Sequence, residues 1–171
     1  LDMVVPGNNR RQLPEKIELV VFDFDGVMTD DKVYVNQDGV EMVAANRRDG
    51  LGVSLMHKAG IKMIVMSSEK NLVVRERCKK LNLPVIQAIE EKSSILQKYL
   101  IENNIDNNNV IYIGNDVNDL PCFPIVGCAL VPSDAHPSAL LQADMVLQHN
   151  GGQGAVREIC DLILNSITEE N

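Results

Sequence analysis

The chain has 171 residues, 45% of them hydrophobic, with a net charge of −8 at pH 7 and a pI near 4.8. That length supports one domain with a real core, and the acidity argues against nucleic acid or an anionic membrane as the main partner. No apolar run is long enough to span a membrane, no signal peptide is evident, and Cys78, Cys122, Cys128 and Cys160 lack CxxC or zinc spacing, as expected of small core residues in a reducing cytoplasm.

Residues 1–16 are polar, carry proline and show no periodicity, so they read as a tail or linker before a single domain at 17–171. Because Leu1 is not methionine, the chain is expected to be a processed or excised piece of a longer protein. Ile17, Leu19, Val20, Val21 and Phe22 form a nearly continuous apolar run, the pattern of a parallel strand covered on both faces. It ends in Asp23-Phe24-Asp25-Gly26. On a strand, positions i and i+2 point the same way, so both carboxylates emerge together at its tip, and Gly26 lets the chain turn close to a ligand. Two like charges this near are costly unless a cation or proton shares them. A divalent metal relieves the cost, with Asp23 available as a nucleophile and Asp25 as a proton shuttle.

Residues 32–35 and 40–43 read as a hairpin around Asn36-Gln37-Asp38-Gly39, placed to form a flap over the aspartates. Asn46-Arg47-Arg48-Asp49-Gly50 precedes a helix at 51–59 that stops at Gly60. A second strand, 61–66, ends in Ser67-Ser68-Glu69-Lys70. Helix 71–81, a short strand at 84–87 and helix 91–102, carrying Lys92, come next. After an asparagine-rich loop, strand 110–113 ends in Gly114-Asn115-Asp116-Val117-Asn118-Asp119. Strands at 127–131 and 145–147 flank a short helix at 137–142, and Gly151-Gly152-Gln153-Gly154 leads into a last helix at 155–165. Alternating strands and helices predict an α/β fold with an open, mostly parallel sheet. Polar clusters at the C-terminal tips of three strands belong in one crevice.

Asp23, Asp25, Ser67, Lys92 and the run Asn115, Asp116, Asp119, in that order, resemble the motifs of the haloacid dehalogenase (HAD) superfamily over nearly all of the chain beyond residue 16. The resemblance implies a Rossmann-like phosphotransferase. Asp23 attacks phosphorus, and Asp25 protonates the leaving alcohol and then activates water. Ser67 and Lys92 hold phosphoryl oxygens, and Mg2+ binds Asp23, the Asp25 carbonyl and a fourth-motif residue. The family usually has Gly-Asp where this chain has Gly114-Asn115, so either Asn115 or Asp116 faces the metal, and Asp119 is a further ligand or a buttress for Lys92. Without the charge of an aspartate, Asn115 weakens the metal site unless Asp116 or Asp119 compensates.

The stretch from Asp25 to Asp49 is too short for an inserted cap domain, and no large insertion follows Ser67. The chain resembles the capless octulosonate 8-phosphate and nonulosonate (sialic-acid-type) 9-phosphate phosphatases, and the domains fused behind acylneuraminate cytidylyltransferases. The likeness rests on the hairpin, residues 46–50, Val131-Pro132-Ser133-Asp134-Ala135-His136-Pro137 and the segment 151–158. It implies contacts with a phosphorylated sugar acid from Asn46, Arg48, Asp49, Gly50, Ser68, Glu69, Arg77, Lys80 and Arg157. Ser67-Ser68-Glu69 replaces the Thr-Gly-Arg of the octulosonate enzymes, and Glu69 with Lys80 resembles the nonulosonate branch. The resemblance also implies a homotetramer in which the glycine-rich segment at 151–154 reaches a neighbour's site. The alternative is a weakly active or inactive tetramerisation domain of a cytidylyltransferase.

Overall fold

The apolar runs become strands and the amphipathic ones helices. The computed structural model describes residues 10–169. In chain order the strands are β1 (Leu19–Phe22), β2 (Thr29–Val35), β3 (Glu41–Ala45), β4 (Met63–Met66), β5 (Val85–Ile86), β6 (Val110–Ile113), β7 (Cys128–Val131) and β8 (Met145–Val146). The helices are α1 (Arg47–Lys58), α2 (Leu72–Lys80), α3 (Lys92–Glu102), α4 (Pro137–Gln142) and α5 (Ala155–Glu169).

Six strands form a parallel sheet in the order β5-β4-β1-β6-β7-β8. β1 is central, with Val21 opposite Ile64 on one side and Tyr112 on the other. Its residues alternate between two cores. Val20 and Phe22 pack among Val53, Met56, Val74 and Ile159, whereas Leu19 and Val21 pack among Leu96, Leu100 and Phe123. Both faces are therefore covered, which explains the unbroken apolar run. The chain builds β1, β4 and β5 outward on one side and β6 to β8 on the other. The direction reverses beside β1, the position at which such sheets open a crevice. β2 and β3 form a separate antiparallel hairpin, and no cap domain interrupts the fold among the described residues.

Several boundaries differ from those expected. α1 begins at Arg47 rather than 51, because the Asn46 side chain accepts the Arg48 N–H and caps the helix there. α5 continues to 169 rather than stopping at 165, and residues 120–125 form a 3-10 segment bearing two prolines that strand and helix periodicity did not reveal. Residues 10–16 have no regular secondary structure, yet they are tied down. Arg11 pairs with Asp144 (2.8 Å) and donates to the carbonyls of Val126 and Phe123, and Leu13 packs on the core. Residues 1–9 of the expected tail lie outside the described residues.

α1 and α5 pack closely because Gly52 leaves no side chain between them; a Cβ there would sit 3.1 Å from the Arg157 Cδ and the Cys160 Cβ. Asp49, 3% exposed, accepts the Arg157 N–H on Oδ1 at 3.0 Å and so satisfies one free donor in the first turn of α5. Its Oδ2 has no hydrogen-bond partner among the described residues. Burial pushes the Asp49 carboxyl up to about 6, against the pull of the Arg157 N–H, Arg77 and His149. A carboxyl whose folded value exceeds its unfolded value keeps a proton that the unfolded chain releases, so its contribution to stability is lost as pH rises from about 4 through about 6. Asp49→Asn retains an acceptor for α5 and removes the titration. Its melting temperature relative to the parent should therefore be higher at about pH 7.5 than at about pH 4. Thermal unfolding at both pH values checks this, and an equal difference at the two would contradict it.

Candidate active site

The neighbours of β1 decide which residues meet. β4 delivers Ser67 on one side of the β1 tip and β6 delivers Gly114-Asn115 on the other. Beyond Asp23 the chain curls at once, with the Phe24 carbonyl accepting the N–H groups of Val27, Met28 and Thr29 at 3.3, 2.8 and 3.3 Å. Gly26 takes φ +76°, a left-handed conformation that favours glycine. Behind this turn lies the glycine-rich stretch. Gly152 N–H donates to the Val27 carbonyl (3.0 Å), and a Cβ at Gly151 would fall 1.8 Å from the Gly26 carbonyl oxygen. Gly151 and Gly152 are thus packed against the turn that follows Asp23 in their own chain, where backbone atoms leave no room for a larger residue, while Gly154 lies beside the His149 ring.

A buried ion network lies under the turn. Lys92 Nζ is 2.8 Å from Asp23 Oδ1 and 2.8 Å from Asp119 Oδ1, and all three residues are at most 5% exposed. Burial raises the Asp23 pKa well above the usual carboxylate range. Asp119 adds to the rise, and Lys92 and the Phe24 N–H oppose it. Burial alone would lower the Lys92 pKa, but the two carboxylates outweigh it and the net direction is upward. Asp119 also accepts the Tyr112 hydroxyl on Oδ1 (2.6 Å) and the N–H groups of Asn115 (2.8 Å) and Asp116 (3.3 Å) on Oδ2. Both of its oxygens therefore face protein donors, and Asp119 supports Lys92 and the β6 loop. Tyr112 was missed in the sequence, where it reads as one more apolar residue of a buried strand.

On the cleft side, the Asn115 carboxamide lies 3.0 Å from the Asp25 carbonyl oxygen and 3.1 Å from Asp23 Oδ2. A carboxylate oxygen, a main-chain carbonyl and an amide side chain converging on one point form an oxygen-donor set that fits Mg2+. No group of three or more His, Cys, Asp or Glu among the described residues has metal-holding geometry, so a cation here depends on Asn115 and the Asp25 carbonyl. Asp116 is half-buried and its Oδ1 accepts the Val117 N–H at 2.6 Å.

The aspartates open into a cleft of about 330 Å3, also lined by Asp31, Lys32, Glu41, Ser68, Glu69, Asn71 and Asn118. Asn71 caps α2 and donates to Glu41 at 2.6 Å, which fastens the hairpin over the cleft. Burial first, then Glu69 and Asp31, push the Asp25 carboxyl up to about 6. Ser67 is buried, with Oγ accepting the Glu69 N–H at 3.1 Å. Other expected contacts lie elsewhere. Asn46 joins the Arg77 guanidinium (3.0 Å, through its carbonyl) and the Gly152 carbonyl (3.2 Å), while Gly50 packs beside Arg77 and Leu81. With Asp49 buried against α5, these residues form a junction between helices. Arg48 and Arg157 line a different cavity of about 480 Å3, and Arg157 is paired with Asp161 at 2.9 Å. Lys80 is exposed at the end of α2 opposite the cleft. A motif locates these residues in the chain but does not say which helix face they occupy.

A parallel sheet with two aspartates, a buried lysine and a hydroxyl gathered at its strand tips defines a phosphoryl-cleaving hydrolase. Residues 61–159 match the haloacid dehalogenase-like hydrolase family. The chain is 36% identical over 151 residues to the 3-deoxy-D-manno-octulosonate 8-phosphate phosphatase KdsC of Escherichia coli K12, covering 88% of this chain and 80% of that one. It is also 32% identical to N-acylneuraminate cytidylyltransferase A of Danio rerio, covering 88% of this chain but 36% of that protein. The structure of the Moraxella catarrhalis octulosonate 8-phosphate phosphatase in complex with a magnesium ion, a phosphate ion and a KDO molecule superposes with a TM-score of 0.84, at 29% identity, covering 88% of this chain and 87% of that one. The chain belongs to the haloacid dehalogenase-like hydrolase family, and it is a phosphatase within it. Among the described residues no helix is long and apolar enough to cross a membrane.

The Tyr112 hydroxyl donates to a buried carboxylate, and a hydrogen bond to a charged group contributes about 2 kcal/mol. Tyr112→Phe should lower the free energy of unfolding by about that amount, read from the midpoint of urea denaturation. An unchanged midpoint would contradict the network as drawn.

Proposed function

We propose that the protein hydrolyses the phosphate monoester of a 2-keto-3-deoxy sugar acid through a phosphoaspartate, with a nonulosonate 9-phosphate preferred and 3-deoxy-octulosonate 8-phosphate next. The observation that carries this reading is the buried Lys92 ammonium set 2.8 Å from Asp23, a residue that lines the cleft. In this reading Lys92 directs the Asp23 carboxylate at phosphorus and balances charge arriving on the phosphoryl oxygens. Asp25, with its carboxyl held up at about 6, gives its proton to the leaving alcohol and takes one back from water. The Ser67 hydroxyl holds a phosphoryl oxygen.

Charge makes the case for a metal. Among the described residues, five carboxylates line the cleft (Asp23, Asp25, Asp31, Glu41 and Glu69) against one lining cation, Lys32. A phosphate ester entering this field is repelled unless more positive charge is supplied. Mg2+ held by Asp23, the Asp25 carbonyl and Asn115 would supply it and polarise the phosphoryl group. Glu69 at the cleft wall supports the nonulosonate preference, since it offers an acceptor to sugar hydroxyls and opposes a carboxylate close by. The same proposal includes a homotetramer and a single domain at 17–171. Val33, Tyr34, Val35, Val40 and Met42 of the hairpin are each more than half exposed, an apolar surface of the kind that assembly covers. The cytidylyltransferase relative supports a second reading, in which the domain serves assembly with little turnover.

Phosphate release from both substrates, with Mg2+ and with EDTA, separates these readings. Mg2+-dependent release that is faster on the nine-carbon substrate is expected, with Asp23→Asn lowering it at least about a thousandfold. Faster turnover of the octulosonate would overturn the substrate preference. Absence of release above the Asp23→Asn control would favour the assembly reading.

A further inference from the structure

Asn115 stands where three oxygens would otherwise face one another. Asp23 Oδ1 takes both the Phe24 N–H (2.7 Å) and Lys92 Nζ (2.8 Å), which leaves Oδ2 to Asn115. The Asp25 carbonyl oxygen is the other neighbour, at 3.0 Å. With an oxygen of Asn115 turned to these two atoms, a cation must lie between them. With the carboxamide nitrogen turned instead, its two hydrogens satisfy both acceptors, one each. An aspartate at this position has no such second state.

We propose that Asn115 is a two-state ligand. Its amide oxygen faces a bound cation, and its NH2 group replaces that cation as the link between Asp23 and the Asp25 carbonyl when none is present. The surroundings permit a turn of the carboxamide and little else. The residue is 8% exposed. Its N–H donates to Asp119 at 2.8 Å and its carbonyl accepts the His136 N–H at 2.8 Å, so the backbone is held on both sides. The carboxamide fills the space above Gly26, where a Cβ would come within 1.9 Å of it. Rotation about the last side-chain bond exchanges oxygen for nitrogen without moving anything else, since sp3–sp2 torsions are broad and nearly two-fold. The site keeps its shape without metal, at the cost of a ligand charge that would tighten metal binding.

The inference rests on the metal reading above, and its test needs no substrate. The parent, Asn115→Asp and Asn115→Ala are melted at about pH 8 in EDTA and across a Mg2+ titration. In EDTA, Asn115→Asp should melt about 5 °C below the parent, since two acceptors lose their donor and a like charge is added. With Mg2+ the order reverses, and Asn115→Asp gains more than the parent with a midpoint about tenfold lower in Mg2+. Asn115→Ala should lose most of the Mg2+ response. An Asn115→Asp protein as stable as the parent in EDTA, or one with no tighter midpoint, overturns the proposal. If Asn115→Asp folds only with Mg2+, the proposal is supported in its strongest form. If it folds in neither buffer, Asn115→Ala decides, and a Mg2+ response equal to the parent's overturns the proposal. A parent with no Mg2+ response removes both this inference and the metal from the proposed function. A normal metal response without hydrolysis removes only the substrate reading.

Discussion

The ion pair of Lys92 with Asp23, shared with Asp119, is the constraint on which the site depends. An ammonium and two carboxylates are costly to take out of water, and they persist in an interior only when each charge has partners in good geometry. Here the three charges come from separate parts of the chain. Asp23 follows β1, Lys92 begins α3 and Asp119 lies in the loop after β6, the strand that carries Tyr112. The network forms only when β1 and β6 are neighbours and α3 packs Leu96 and Leu100 on the sheet face that carries Leu19 and Val21. Fold and chemistry are thus tied through one buried cluster.

The second constraint is space around the turn that follows Asp23. Gly26 yields its side-chain volume to Asn115, and Gly151 yields its own to the Gly26 carbonyl. Both contacts confine Gly26, whose nitrogen shares a peptide with the Asp25 carbonyl, one of the oxygens that converge on Asn115. A site that must bring like-charged oxygens together gains from such rigidity, because residual motion would separate them.

Much of this was legible in the sequence. The apolar run before Asp23, the i, i+2 carboxylates and the polar tips of later strands placed the crevice, and the bounds of β6 and α4 match those read from the pattern. Ser68 and Glu69 do line the cleft. What stayed hidden shares one physical cause, since it depends on direction in space rather than on spacing along the chain. Asp119 turns away from the cleft to hold Lys92. Tyr112 hides a hydroxyl in a strand pattern, and Arg157 binds Asp161 on its own helix. Arg11 looked like part of a tail because its partner Asp144 is far along the chain. Asp49 and Asn46, which read as site residues, accept backbone N–H groups at the starts of α5 and α1.

In the proposed mechanism Asp23, seated by Lys92, takes the phosphoryl group. Acid quenching during turnover, followed by peptide mass spectrometry, tests that claim most directly. The account predicts one phosphoryl group on the peptide containing Asp23, absent from Asp23→Asn and lost on treatment with mild base. A phosphoryl group on another residue, or turnover that leaves no residue modified even when the enzyme is quenched at saturating substrate, would contradict it.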